Sequence, residues 1–437
     1  MEIKVENQSS KFIKPTVPTP ETHCRFKLGF LDEIAPCIDV AITLFFSPNS
    51  NHNPKFIVQL ENSLAKTLTR FYPLAGRYAQ DVQTIECTDD GVEFIQAKVN
   101  VKLEEIIGSE VVDVKLLINE FKPSKNRAAH QFIDPLLSIQ VTKFECGSLA
   151  IGVCATHKLV DASTLCTFIN EWATINREEN NIELSTGPGF NSSTLFPARG
   201  LHHFPYQPMS SDMLSKHIIK KYTFTGSEIS TMKAKVMVHD QRNSTRNQYW
   251  SKVQLVGATI TKAFISSSVD RTTHEYPREF AVVQALNLRG KMASLIHKHS
   301  CGNILAICIT KCGHLETTAE LAHVLSDSIK KSISKFSMVS LDSEEGQSLV
   351  WDSVLQFINI PESTNKITVT SWCKFPFYEA NFGTGKPIWV APYIEPVKNV
   401  VYLLDNAQGD GVEAFVFLEI KDVPYFEEAL DLNALVA

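Results

Sequence analysis

LLSIQVTKFECGSLAIGVCATHKLVDASTLCTFINEW (Leu136–Trp172) holds both periods of regular secondary structure in one stretch. LLSIQVTKFE and SLAIGVCAT are apolar runs rich in β-branched residues, parted by Cys146 and Gly147, and read as a hairpin. Leu165, Phe168, Ile169 and Trp172 then fall on one face at helical spacing. The stretch predicts strand, turn, strand, short link and helix. The link is THKLVD, Thr156–Asp161. A histidine therefore stands where a buried strand ends and a helix is about to begin.

Upstream, CIDVAITLFF (Cys37–Phe46) reads as a buried strand. Leu60, Leu64, Leu68 and Phe71 mark an amphipathic helix that stops near Pro73 and Gly76. GVEFIQAKVNVKL alternates as a strand does. Downstream, from Arg177 to Lys220, no period persists. Asn, Ser, Gly and Pro dominate there, which reads as a crossover between domains. The second half resumes with four strand-like runs, EFAVVQALNL, NILAICIT, NVVYLLD and VEAFVFLEI. LETTAELAHVLSDSIKKSI is helical, with Leu321, Leu325, Ile329 and Ile333 in register. Neither half alternates cleanly as βαβ, so the fold class is α+β (mixed α/β) layers rather than a doubly wound sheet. The 437 residues leave room for two or three domains.

With 42 Lys and Arg against 48 Asp and Glu, the formal charge is −6. That balance argues against a general nucleic-acid binder. No apolar run approaches the roughly 18 residues of a membrane-spanning helix. MEIKVENQSSKFIK lacks an apolar secretory core. The expectation is a soluble protein of the cytosol. The ten cysteines are scattered, often in apolar runs, with no C-x-x-C pair. They read as small buried hydrophobes. No metal site is expected, since His202 and His203 lack paired ligands.

A histidine can take and return a proton near neutral pH, so His157 is a candidate general base. A strand end would hold it rigidly. Thirteen histidines make an H-x-x-x-D spacing unremarkable by itself. Asp161 either braces the site from behind or serves only as a helix N-cap. NFGTGKP, Asn381–Pro387, reads as a tight turn with a glycine at positive φ. Asp410 and Glu413 in GDGVEA read as turn and surface residues. The chain has no dinucleotide fingerprint, P-loop or nucleophile elbow.

Taken in order, several segments resemble the plant BAHD acyl-CoA-dependent acyltransferases. They are FYPLAGR (Phe71–Arg77), His157 and Asp161 after FECGSLAIGV, ALNLRGKM (Ala285–Met292), CGNI (Cys301–Ile304), SWCKFPFYEANFGTGKP (Ser371–Pro387) and GDGVEA. Each is weak alone, whereas their order and spacing are distinctive. The details FECG, SWC and FYxxxFGxGKP are similar to members that acylate alkaloids and other specialised-metabolite alcohols.

The resemblance implies two similar-sized, chloramphenicol-acetyltransferase-like domains, each a mixed sheet with flanking helices, and an active-site channel at their interface. The N-terminal domain would span 1–180, the crossover 181–220 and the C-terminal domain 221–437. The last would carry the NFGTG motif, with part of 360–385 exchanging into the N-terminal sheet. His157 would deprotonate an alcohol that attacks an acyl-CoA thioester. Asp161 would pair with Arg289 as structural support. Acyl-CoA contacts would come from Ser371, Trp372, Asn303, Asn381, Phe382 and Gly383. The partners implied are acyl-CoA, with acetyl-CoA first, and a small alcohol, taken as substrates by a monomer with no permanent cofactor and no nucleic-acid or membrane partner. The usual D-F-G-W-G is altered here, with Asn381 for Asp and Thr384 for Trp. That change keeps open a non-enzymatic relative that binds a metabolite. A condensation-domain relative usually shows two adjacent histidines, whereas Thr156 precedes His157 here.

Overall fold

The structure is a computed structural model. It describes residues 3–48, 55–79, 83–107, 120–123, 134–177, 188–201, 209–243, 250–269, 279–290, 296–297, 299–314, 317–340 and 343–430. The chain divides into two compact units. The first comprises 1–207, 296–304 and 375–395, and the second 208–295, 305–374 and 396–437.

The first unit is built on a six-stranded mixed sheet. Its strands are β1 (Val5–Ile13), β2 (Asp39–Phe46), β3 (Val92–Val99), β4 (Leu137–Lys143), β5 (Leu149–Thr156) and the later Trp389–Pro392, in spatial order β1-β3-β4-β5-β2 and then Trp389–Pro392. The hairpin reading holds. β4 and β5 pair antiparallel, and Gly147 turns them at φ +86°. In β2 every residue after Asp39 is buried, because both faces of the strand are covered. Three helices matter to the site: α1 (Phe30–Ile34), α2 (Phe56–Arg70) and α3 (Ala162–Arg177). Leu60, Leu64 and Leu68 of α2 are fully buried, as their spacing predicts. α2 packs on α3, whose Trp172 indole N–H points at the Leu60 carbonyl at 3.1 Å and the Ser63 hydroxyl at 3.0 Å. Phe71 meets Phe168 edge to face at 5.2 Å. FYPLAGR is a structural joint: the buried Arg77 donates to the carbonyls of Gly76 and Gly91 at 2.8 and 2.9 Å.

The second unit has its own six-stranded sheet. Its strands are β6 (His217–Phe224), β7 (Phe280–Asn287), β8 (Leu305–Cys312), β9 (Asn365–Ser371), β10 (Val400–Asp405) and β11 (Val412–Glu419), in order β6-β11-β10-β9-β7-β8. Its helices include α4 (Gly226–Asn243), α5 (Lys252–Ser267), α6 (Thr318–Ser337) and α7 (Glu344–Ile358). Ser251 with Gln254, and Thr317 with Glu320, form capping boxes that start α5 and α6. Leu255, Val256, Leu321 and Leu325 join Val401, Leu403 and Val416 in the core.

Four expectations need correction. The span 181–220 is not free of structure, because a helix at Ser211–Ser215 and the start of β6 fall inside it. The segment that joins the first sheet is Trp389–Pro392, which pairs antiparallel with β2; residues 365–371 instead form β9 of the second sheet. The NFGTG motif therefore belongs to the first unit, within 375–395. Glu413, read as a surface residue, is buried beside Lys221 at 3.4 Å. No helix among the described residues is long and apolar enough to cross a membrane.

Candidate active site around His157

His157 follows the last residue of β5. Its backbone N–H donates to the Ile38 carbonyl at 2.9 Å, which continues the β2–β5 ladder by one bond. The N–H groups of Leu159 and Val160 then return to the Thr156 carbonyl at 3.2 and 3.1 Å, so the chain turns. Asp161 starts α3. Its Oδ1 accepts from the Thr164 N–H and hydroxyl, both at 2.8 Å. That is an N-cap in geometry. Its Oδ2 accepts from the Ile304 N–H at 3.3 Å. Asp161 thus caps the helix and also anchors the loop that carries CGNI.

That loop is fixed on every side. Gly302 N donates to the Thr164 hydroxyl at 3.1 Å. Gly302 has φ +113°, and a Cβ there would lie 2.4 Å from Ser192 Cβ, so only glycine fits. The Asn303 amide nitrogen donates to the His157 carbonyl and to Asp32 Oδ1, both at 2.8 Å. His157, Asp161 and Asn303 therefore come together. The amide nitrogen of Asn303, expected to contact CoA, is already engaged by these two acceptors.

Asn381, Phe382 and Gly383 form a turn in the first unit. Asn381 Oδ1 accepts from the N–H groups of Gly383 and Gly385 at 2.8 and 3.2 Å, and those glycines have φ +94° and +98°. Ser371, Trp372 and Arg289 belong to the second unit. Ser371 ends β9, and Trp372 is buried with its N–H on the Leu403 carbonyl at 2.8 Å. Arg289 is buried just beyond β7, with its N–H and Nη1 at 3.1 and 3.2 Å from Asn287 Oδ1. His202 and His203 lie outside the described residues.

The electrostatics suit a neutral imidazole. Burial pushes the His157 pKa below its ordinary value, against the opposing pull of its own carbonyl, the Asp161 charge and the Asn303 side chain. Its Nδ1 is buried and makes no hydrogen bond among the described residues. Sequence reasoning missed three buried charges nearby: Asp32, Glu33 and Lys158. Glu33 accepts from three successive backbone N–H groups, Arg199, Gly200 and Leu201, at 3.0 to 3.2 Å. The available signal was the pair Asp32-Glu33 inside the apolar run LGFLDEIA. Burial pushes the Cys87 and Cys373 thiols up to about 12, far from thiolate chemistry. No cluster of three metal-ligating side chains occurs among the described residues.

A family model, the Transferase family, matches residues 3–432. The chain belongs to this family, the BAHD acyltransferases. This BAHD acyltransferase is 30% identical over 428 residues to limonoid 21-O-acetyltransferase of Melia azedarach, covering 96% of this chain and 95% of the relative. It is 31% identical over 421 residues to stemmadenine O-acetyltransferase of Catharanthus roseus, covering 93% and 92%. The crystal structure of vinorine synthase superposes with a TM-score of 0.82 at 27% identity, over 98% of both chains. The mixed α/β architecture of this BAHD acyltransferase is that of its family.

Proposed function

We propose that this acyltransferase moves an acyl group, acetyl first, from acyl-CoA to a hydroxyl of a plant specialised metabolite, with His157 as general base. The observation that carries the reading is the placement of His157: a partly buried imidazole at a strand end, its pKa lowered by burial and its main chain held on both sides. The two relatives, each named an O-acetyltransferase, support the acetyl donor and the alcohol acceptor. An alkaloid acceptor is the first to try.

In this mechanism the imidazole takes the hydroxyl proton as the oxygen attacks the thioester carbonyl. A tetrahedral oxyanion forms, then collapses with cleavage of the C–S bond. The CoA sulfur leaves and receives the proton from the imidazolium. No acyl-enzyme is needed, which accords with thiols held far from ionisation. General-base help of this kind is worth about 10²–10⁴-fold.

Purified protein incubated with a panel of acyl-CoA donors and alcohols, with thiol release and product mass followed together, tests the reading. Ester formation that falls about 10²–10⁴-fold in His157→Ala supports it. Metabolite binding without turnover for any donor would instead favour a non-enzymatic family member.

A further inference from the structure

Four hydrogen bonds end on the carboxylate of Asp32, a residue with 0% exposure. Oδ2 accepts from the Gly29 N–H at 3.0 Å and the Ser192 hydroxyl at 2.9 Å. Oδ1 accepts from the Asn303 N–H at 3.1 Å and the Asn303 side-chain amide at 2.8 Å. A buried charge is costly, and an apolar residue of similar volume often serves stability as well or better. The useful question is what this charge holds in place. It grips Asn303 twice, by main chain and side chain. The same Asn303 amide nitrogen reaches the carbonyl of His157. A second tie runs in parallel: the Lys158 ammonium donates to the carbonyls of Asp32 and Glu33 at 3.4 and 2.7 Å. Two successive residues are thus fastened to α1, His157 by its carbonyl through Asn303 and Lys158 by its ammonium.

We propose that Asp32 is a positioning residue for His157, acting through Asn303. The inference rests on the reading of His157 as the base. Proton transfer needs the imidazole within hydrogen-bond reach of the hydroxyl, and a misplacement near 1 Å can cost about 10²-fold. Asp32 touches no substrate in this scheme. It fixes the peptide from which the imidazole projects.

Asp32→Asn keeps the size but replaces one acceptor oxygen with a donor that faces donors. Its kcat should fall about 10–100-fold, with KM for both substrates held within about threefold. The deciding readout is a cycle with His157→Ala. Once the imidazole is gone its position no longer matters, so Asp32→Asn should add no further loss. If the double variant loses the full Asp32→Asn factor again, Asp32 acts independently of His157 and the proposal falls. A loss confined to KM also overturns it. Wild-type turnover in His157→Ala alone would remove the base reading, and this proposal with it. Should Asp32→Asn fail to fold, Asn303→Ala cuts the same link and is expected to show the same kcat loss and the same non-additivity. Unchanged kcat in that variant would overturn the proposal.

Discussion

Thr164 donates its backbone N–H to Oδ1 of Asp161 at 2.8 Å, which makes Asp161 the cap of the helix behind His157. The other oxygen holds the Ile304 N–H. Asp161→Ala removes both acceptors. Losing the cap and leaving a buried donor unmet should together cost about 2–4 kcal/mol. Asp161→Asn retains one acceptor oxygen for the cap and should fall between wild type and Ala. Urea unfolding midpoints at constant m-value would check the order. Equal losses for Asn and Ala would show that the cap contributes nothing measurable.

The partly buried imidazole sets a pH prediction with a definite sign. The base must be neutral, so kcat/KM falls as pH drops through the His157 pKa. Burial, the dominant influence, holds that pKa below the ordinary 6.5. The acid limb of the kcat/KM profile should therefore lie below pH 6.5, and the rate should be level from there toward neutrality. Stability follows the same group. Above the unfolded value near 6.5 both states are neutral; below it the unfolded chain gains a proton that the folded chain resists, so stability declines as pH falls through that window. An acid limb centred above pH 7, measured with a slow substrate, would mean that His157 sits beside more negative charge than this site provides.

Much of this was legible in the residues because it is local. The hairpin, α2 and α3 all declare themselves by period and by turn residues. His157 at a strand end could be read from one segment. What escaped notice is non-local. Asp32 meets Ser192 and Asn303 across separations of 160 and 271 residues, and the apolar run around it signals its burial but not these partners. Strand β6, HIIKKYTF, begins inside a polar crossover whose Asn, Ser, Gly and Pro residues hide its alternation. Trp389–Pro392 pairs with β2 some 340 positions earlier, a distance that no periodicity can span. The NFGTG turn was read correctly as a turn but placed with the wrong half for the same reason.

The cysteines give a chemical prediction. Cys24 is exposed, whereas Cys87, Cys154, Cys166, Cys301, Cys308, Cys312 and Cys373 are buried. The thiols of Cys87 and Cys373 are pushed up to about 12 by burial, so little thiolate exists at neutral pH. Iodoacetamide should label Cys24 before any buried thiol, as read by peptide mass spectrometry. Full modification of Cys24 should leave turnover within about twofold, because the proposed base mechanism asks nothing of a thiol. Inactivation that tracks one cysteine, and that acyl-CoA blocks, would point to an acyl-enzyme instead.

The altered D-F-G-W-G motif should answer to stability more than to turnover. Phe382 is buried edge-on to Trp172 at 4.7 Å and near Phe46 at 6.0 Å. Its carbonyl accepts from Asn176 at 2.7 Å, which ties the turn to α3. Phe382→Ala should cost about 3–5 kcal/mol by removing a large side chain from a packed site. Gly383 has φ +94° with open space where a Cβ would stand, so Gly383→Ala should cost only backbone strain, about 1–2 kcal/mol. Asn381→Asp restores the family residue, and its carboxylate can accept from Gly383 and Gly385 just as the amide oxygen does. That variant should keep both melting temperature and kcat near wild type. If Asn381→Asp instead raises kcat tenfold at unchanged stability, the turn bears on catalysis, and its role as a packing joint is too small a description.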